Sequence, residues 1–151
     1  MEKLKSNFSN LTIDFNQLVN LFTKDTYETF VKDKHLSNYV LEGIFVIKDV
    51  HRSKIFFNLL EKCVKVFNLT DKKLDAFLFI GFSPGACTEV HKDNYDVLLY
   101  NLYGKTLYTV ENETYILNPT DLLYIEKNKV HQGFSITPRI TFSLGVRGDI
   151  T

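Results

Sequence analysis

Gly85-Ala86-Cys87-Thr88-Glu89-Val90-His91-Lys92-Asp93-Asn94-Tyr95-Asp96-Val97-Leu98-Leu99-Tyr100-Asn101-Leu102-Tyr103-Gly104 is the stretch that decides the fold. It runs from one turn glycine to another and carries His91 and Asp93 separated by one residue. A second stretch, Asn118-Pro119-Thr120-Asp121-Leu122-Leu123-Tyr124-Ile125, leads to His131, about forty residues after His91. Two imidazoles and a carboxylate in this order can occupy one face of a metal ion. That donor set suits a redox-active Fe(II) with coordination positions left open. Taken singly, each histidine also fits an ordinary strand end, and Asp93 fits a turn residue bonded to its own backbone.

Around this segment the chain reads as short strands. Ala76 to Phe82, Thr88 to His91, Asp96 to Leu102, Lys105 to Val110, Thr114 to Leu117, Leu122 to Ile125 and Arg139 to Val146 are the candidates, separated by turn signals such as Ser83-Pro84-Gly85, Asn118-Pro119-Thr120 and Gly133. Regularly spaced short strands argue for an antiparallel sandwich or barrel. Upstream the period changes. Ile13, Leu18, Leu21 and Phe22, then Tyr27, Phe30 and Val31, predict helix over Leu11 to Lys34, with Thr12 or Asp14 and Asp25 or Thr26 as caps. Tyr39 to Lys48 reads as a strand. Ile55, Phe56, Leu59, Leu60, Cys63, Val64 and Phe67 predict a long helix over Asp49 to Asn68. The expectation is a single domain over 1–151, mainly β, with a helical part at 1–70 packed on a barrel at 75–147.

Composition sets outer bounds. The chain has 151 residues, with Lys plus Arg and Asp plus Glu at 18 each, so its net charge is zero. That balance gives no electrostatic footprint for nucleic acid. Thirteen Phe and eight Tyr supply ample core material, and a chain of this size buries about 70% of its unfolded surface. No stretch approaches the ~20 apolar residues of a membrane span. Two cysteines make no disulfide framework. Cys63 lies on the helical apolar stripe, and Cys87 reads as a small buried residue or, alternatively, a ligand. His35 reads as surface and His51 as the start of the long helix. Met1-Glu2-Lys3-Leu4-Lys5-Ser6-Asn7 has no apolar run behind it and does not read as a signal peptide, so a cytoplasmic location is expected.

The spacing Gly85, five residues, His91, one residue, Asp93, ten residues, Gly104 resembles the first motif of the cupin superfamily. Asp93 stands where many cupins have a second His, and Val97 where many have a Glu ligand. Asn118 to His131 resembles the second motif, with Thr120, Glu126 and Asn128 in place of a Gly, a Pro and a turn Gly. Asn tolerates a left-handed turn best after Gly. The finer resemblance is to the JmjC-type Fe(II)/2-oxoglutarate oxygenases, especially the cupin-like ribosomal-protein hydroxylases. It rests on His91 to Tyr100 with its Tyr95-Asp96 pair, on Tyr103 to Val110, and on Pro138 to Arg147. It covers Phe79 to Arg147 well and Leu41 to Arg147 loosely.

The resemblance implies a double-stranded β-helix (a jelly-roll barrel) with His91, Asp93 and His131 as metal and catalytic residues, and Fe(II) and 2-oxoglutarate as cofactor and co-substrate. It also implies a cation for the far carboxylate of 2-oxoglutarate. The family places a Lys or Arg two positions after the strand-starting Gly, and that position here is Thr106. Lys105 is one residue off, which turns it to the other face unless a bulge intervenes. Arg139, in an Arg-x-Thr pattern with Thr141, and Arg147 are the other choices. Thr88 and Thr106 share a strand parity that allows carboxylate binding. Tyr100 or Tyr108 can serve through a phenol or simply fill the barrel. Asn94 and Tyr95 are candidates for substrate contact, or a turn with an aromatic plug. The substrate is a protein or peptide side chain or a small molecule. The alternatives are a metal-dependent cupin enzyme that does not use 2-oxoglutarate and a non-catalytic cupin binding module.

Overall fold

Val97 to Tyr100 is apolar on both sides of the strand, and the fold uses both. In the computed structural model, which describes residues 3–24 and 43–149, this run lies in the middle of a six-stranded antiparallel sheet. The elements in chain order are β1 (Leu4–Lys5), α1 (Phe15–Lys24), β2 (Phe45–Lys48), α2 (Phe57–Phe67), β3 (Lys72–Gly81), β4 (Asp96–Tyr103), β5 (Thr106–Val110), β6 (Glu113–Leu117), β7 (Leu122–Ile125), β8 (His131–Ser135) and β9 (Arg139–Asp149). The large sheet has the order β1-β7-β4-β9-β3-β2, and a second sheet the order β6-β5-β8.

The large sheet separates two cores. Leu98, Tyr100 and Leu102 of β4 join Ile140, Phe142 and Leu144 of β9 and Ala76, Leu78 and Ile80 of β3 against Ile13, Leu18, Phe56, Leu59 and Cys63. The alternate residues Val97 and Leu99 meet Tyr108, Val110, Leu117, Leu123 and Ile125 inside the barrel. Side chains alternate along a strand, so β4 contributes one set of residues to each core.

Helix α1 begins where its sequence allows. Asp14 Oδ1 accepts from the Gln17 N–H at 2.7 Å, and Gln17 Oε1 accepts from the Asp14 N–H at 2.9 Å. This is a reciprocal capping box, with buried Ile13 and Leu18 at the spacing of a hydrophobic staple. Asp14, not Thr12, is the cap. The expected helix beyond Lys24, the Asp25 or Thr26 cap, His35 and the start of the Tyr39 strand lie outside the described residues.

Three expectations need correction. The long helix does not start at Asp49. Asp49 is left-handed (φ 58°), residues 50–52 and 54–56 form single 3₁₀ turns, and extended Ser53 separates them, so α-helix runs only from Phe57. His51 thus sits on a 3₁₀ turn. Thr88 to His91 is not a strand. Cys87 and His91 form isolated bridges with Phe134 and His131; between them the Thr88 N–H donates to Gly133 O at 3.0 Å, but the Gly133 N–H donates to Thr88 Oγ1 at 3.0 Å rather than to a backbone carbonyl, so the ladder is interrupted. Gly133 is not a turn but the centre of β8. A Cβ there would lie 2.5 Å from Tyr108 Cε1, so the missing side chain makes room for the tyrosine ring.

The turns bear out the expected glycine substitutions. Thr120 (φ 76°) and Asn128 (φ 64°) are both left-handed. A β-branched residue in that region is an outlier. Thr120→Gly should raise stability by about 0.5–1 kcal/mol, the net of roughly 1–2 kcal/mol of left-handed strain and the extra chain entropy of glycine. A higher urea midpoint at unchanged slope would register the gain.

Candidate metal centre

The segment between β3 and β4 is tied to β8 by backbone hydrogen bonds, and these bring the ligands together. His91 and His131 face each other in a bonded pair, N–H to O at 3.1 and 2.8 Å. The Asn128 N–H donates to the Asp93 carbonyl at 2.6 Å, which joins the left-handed turn before His131 to the aspartate. The result is a compact trio. Asp93 Oδ2 lies 3.4 Å from His131 Nε2 and 3.7 Å from His91 Nε2, and the candidate ligand atoms all fall within 4.8 Å of one another.

Both imidazoles are oriented by carbonyls two residues upstream. His91 Nδ1 is 2.7 Å from Glu89 O, and His131 Nδ1 is 2.8 Å from Lys129 O. A carbonyl only accepts, so each Nδ1 carries the proton and each Nε2 presents a lone pair toward Asp93. His131 is buried, and burial pushes its pKa below the ordinary value, which favours the neutral, ligating form at pH 7.

A pocket of about 100 Å³ opens beside the trio. Phe77, Phe79, Val97 and Leu99 form its apolar wall, and Thr88, Tyr108 and Ser143 add hydroxyls. Tyr95 stands at its edge. Burial first, and then the adjacent Asp93 carboxylate, raise the Tyr95 phenol above its ordinary pKa, so it remains a donor.

Deeper in the barrel is a fully buried arginine. Arg139 Nη1 donates to Tyr108 Oη and to Thr141 Oγ1, each at 2.9 Å, and Nε donates to Ser135 Oγ at 3.2 Å. All three acceptors are neutral. Arg139 Nη2 has no partner, and no carboxylate pairs with the side chain among the described residues. Asn101 braces this group. Its Oδ1 accepts from Thr106 Oγ1 at 3.1 Å and Thr141 Oγ1 at 2.9 Å, and its amide donates to Gly104 O at 2.6 Å and Leu117 O at 3.2 Å.

The structure therefore brings His91, Asp93, His131, Thr88, Tyr95 and Tyr108 to one pocket, with Thr106 and Arg139 in the network below it. Tyr100 lies elsewhere. Its ring packs in the helix-side core and its hydroxyl donates to Leu11 O at 2.7 Å. Lys105 is exposed on the outer side of the Gly104 turn, and Asn94 is exposed outside the pocket lining. Arg147 is half exposed at the rim and paired with Asp75. Cys87 is half-buried and not one of the clustered ligands. Asn101, Ser135 and Ser143 were not singled out from the sequence. Asn101 does carry a signal, an amide at the inward parity of Val97 and Leu99.

Superposition on solved structures fits this architecture. YcfD, a ribosomal oxygenase from Escherichia coli in complex with cobalt and succinic acid, matches with a TM-score of 0.74 at 19% identity, over 98% of this chain and 48% of that one. YcfD with cobalt and 2-oxoglutarate matches with a TM-score of 0.74 at 18% identity over the same shares. The fold is a cupin barrel. KdgF from Halomonas sp. shares it more loosely, with a TM-score of 0.56 at 16% identity over 83% of this chain and 92% of that one. The chain spans about half the length of the ribosomal oxygenases it matches. No family model and no curated protein sequence matches it. Among the described residues, no helix is long and apolar enough to cross a membrane.

Proposed function

We propose that this chain is an Fe(II)- and 2-oxoglutarate-dependent oxygenase with His91, Asp93 and His131 as iron ligands. The observation that carries the proposal is Arg139. A buried guanidinium with a bare nitrogen and only neutral acceptors leaves a charge uncompensated, which costs several kcal/mol on the usual scale. An anion completes it. Tyr108 joins the arginine to the metal pocket, since its hydroxyl accepts from Arg139 while its ring lines the cavity. A ligand with a metal-chelating end and a carboxylate at the other meets both demands.

Each residue then has a part. The two imidazoles and one carboxylate would hold the ion, a donor set that suits Fe(II) and leaves room for further ligands. Bound iron and 2-oxoglutarate would supply the oxidative chemistry, in which one atom of dioxygen converts the co-substrate to succinate with loss of carbon dioxide and the other goes to the substrate. Arg139 Nη2 binds the far carboxylate, and Thr88, Ser143 and Tyr108 supply hydroxyls along the way. Thr106 does not bind the carboxylate through charge; it braces Asn101, and the cation comes from the last strand instead. Phe77, Phe79, Val97 and Leu99 keep water from the reacting centre. The substrate, a protein or peptide side chain or a small molecule, approaches at the mouth beside Asn94 and Tyr95. YcfD as a ribosomal oxygenase supports a protein substrate.

The test is direct. The manganese-loaded protein should bind 2-oxoglutarate, and the iron-loaded protein in air, with ascorbate supplying the two electrons that the absent substrate would otherwise give, should convert it slowly to succinate and carbon dioxide. Metal binding without 2-oxoglutarate binding would leave a different metal-dependent cupin and end this proposal.

A further inference from the structure

The buried network behind Arg139 has a fixed direction, and its hub is Asn101. Asn101, Thr106, Arg139 and Thr141 are all fully buried, and the β4–β9 register sets Asn101 opposite Thr141. The Asn101 amide nitrogen lies 2.6 Å from Gly104 O and 3.2 Å from Leu117 O. Backbone carbonyls only accept, so these two hold the amide in one orientation and turn Oδ1 toward the threonines. An amide oxygen also only accepts. Thr106 and Thr141 therefore each spend their hydroxyl proton on Asn101 Oδ1, at 3.1 and 2.9 Å. Thr141 Oγ1, with its proton committed, is left as an acceptor, and Arg139 Nη1 donates to it at 2.9 Å. Nη1 also donates to Tyr108 and Nε to Ser135, so the N–H groups of those nitrogens are all in use and the remaining donors lie on Nη2.

We infer, on the basis of the oxygenase reading above, that Asn101 is a positioning residue for Arg139. Through Thr141 it holds the guanidinium in the orientation that leaves Nη2 for the far carboxylate of 2-oxoglutarate. It does so without charge. A carboxylate in its place would accept the same threonine protons, but it would set a negative charge two hydrogen bonds from the guanidinium. The arginine would then be neutralised from within, since opposite charges this close favour each other's ionised form. A neutral side chain at Asn101 preserves the charge that recognises the ligand.

Calorimetric titration of the manganese-loaded full chain with 2-oxoglutarate tests the assignment, with Mn(II) affinity in the absence of 2-oxoglutarate as the control. Asn101→Asp keeps the size and both threonine contacts and should weaken 2-oxoglutarate binding by about tenfold or more, at wild-type Mn(II) affinity. Thr141→Val keeps the volume but cuts the link to Arg139, and should weaken 2-oxoglutarate by about tenfold. Thr141→Ser restores the hydroxyl and should restore the affinity. Wild-type 2-oxoglutarate affinity in Asn101→Asp, or the same affinity in Thr141→Val as in Thr141→Ser, would overturn the positioning role and leave the oxygenase proposal standing. A parallel loss of Mn(II) affinity would also overturn it, as the mark of a network that only supports the barrel. If Asn101→Asp does not fold, the two threonine variants decide the question. A wild-type chain that binds Mn(II) but not 2-oxoglutarate would overturn both.

Discussion

Arg139→Met should abolish most 2-oxoglutarate binding while leaving the metal-free fold about as stable as before. Both halves follow from the same geometry. The guanidinium is fully buried, reaches only hydroxyl acceptors, and has one nitrogen without a partner. Removing one member of a buried ion pair costs about 3–5 kcal/mol, so the loss of Arg139 should lower 2-oxoglutarate affinity by two orders of magnitude or more. In the free protein no carboxylate among the described residues offsets the desolvation of that charge. Replacing it by an apolar side chain of similar length therefore changes stability by about 1 kcal/mol or less, rather than the 2–5 kcal/mol usual for a large buried residue. Calorimetric titration of the manganese-loaded variant measures the first effect and thermal unfolding of the metal-free variant the second. In the wild type, saturating metal and 2-oxoglutarate should raise the melting temperature; in Arg139→Met, metal alone should do so. A variant that unfolds outright would mean that Arg139 is a structural brace and not an anion receptor.

His131→Ala should remove metal binding at working concentrations, and with it succinate formation. Structural zinc sites with four ligands yield about 10–16 kcal/mol in total, or roughly 3 kcal/mol per ligand. One lost ligand therefore costs about two orders of magnitude in affinity. His131 is the ligand with the most to lose, since it is buried, held by Lys129 O and paired in the backbone with His91. The alanine variant keeps that backbone pair, so the metal-free fold should survive. Equilibrium dialysis against Mn(II), with circular dichroism to confirm folding, distinguishes loss of the site from loss of structure. Undiminished binding would place the ion somewhere other than this trio.

The clustering of His91, Asp93 and His131 was legible because the spacing that gathers such groups is local. A His-x-Asp at a strand end and a His after a second turn need only the right order and spacing. The departures at Thr120 and Asn128 were legible too, as positions where the turn demands a positive φ. Strand parity gave more than was taken from it. It sets Tyr100 on the opposite side from Val97 and Leu99, which is where its ring lies. Other features depend on contacts between distant residues. Gly133 reads as a turn until the Tyr108 ring explains it, and a threonine hydroxyl at Thr88 breaks a ladder that its sequence alone would continue. The long helix was overextended because the apolar period runs unbroken through Ile55 and Phe56, while Asp49 and Ser53 set the backbone. Lys105, Arg139 and Arg147 could not be ranked from the sequence, because burial without a counter-charge is visible only once the barrel is closed.

The backbone pairing of His91 with His131 has a consequence for how the ion would come and go. The two imidazoles are brought together, ring centres 4.3 Å apart and tilted by 60°, by the chain itself, with backbone hydrogen bonds that need no cation. An ion entering such a site gathers no distant segments and waits for no folding step. It would behave as an exchangeable guest rather than as a rivet. Stripping by a chelator and reloading with another divalent cation would then be operations on a folded protein.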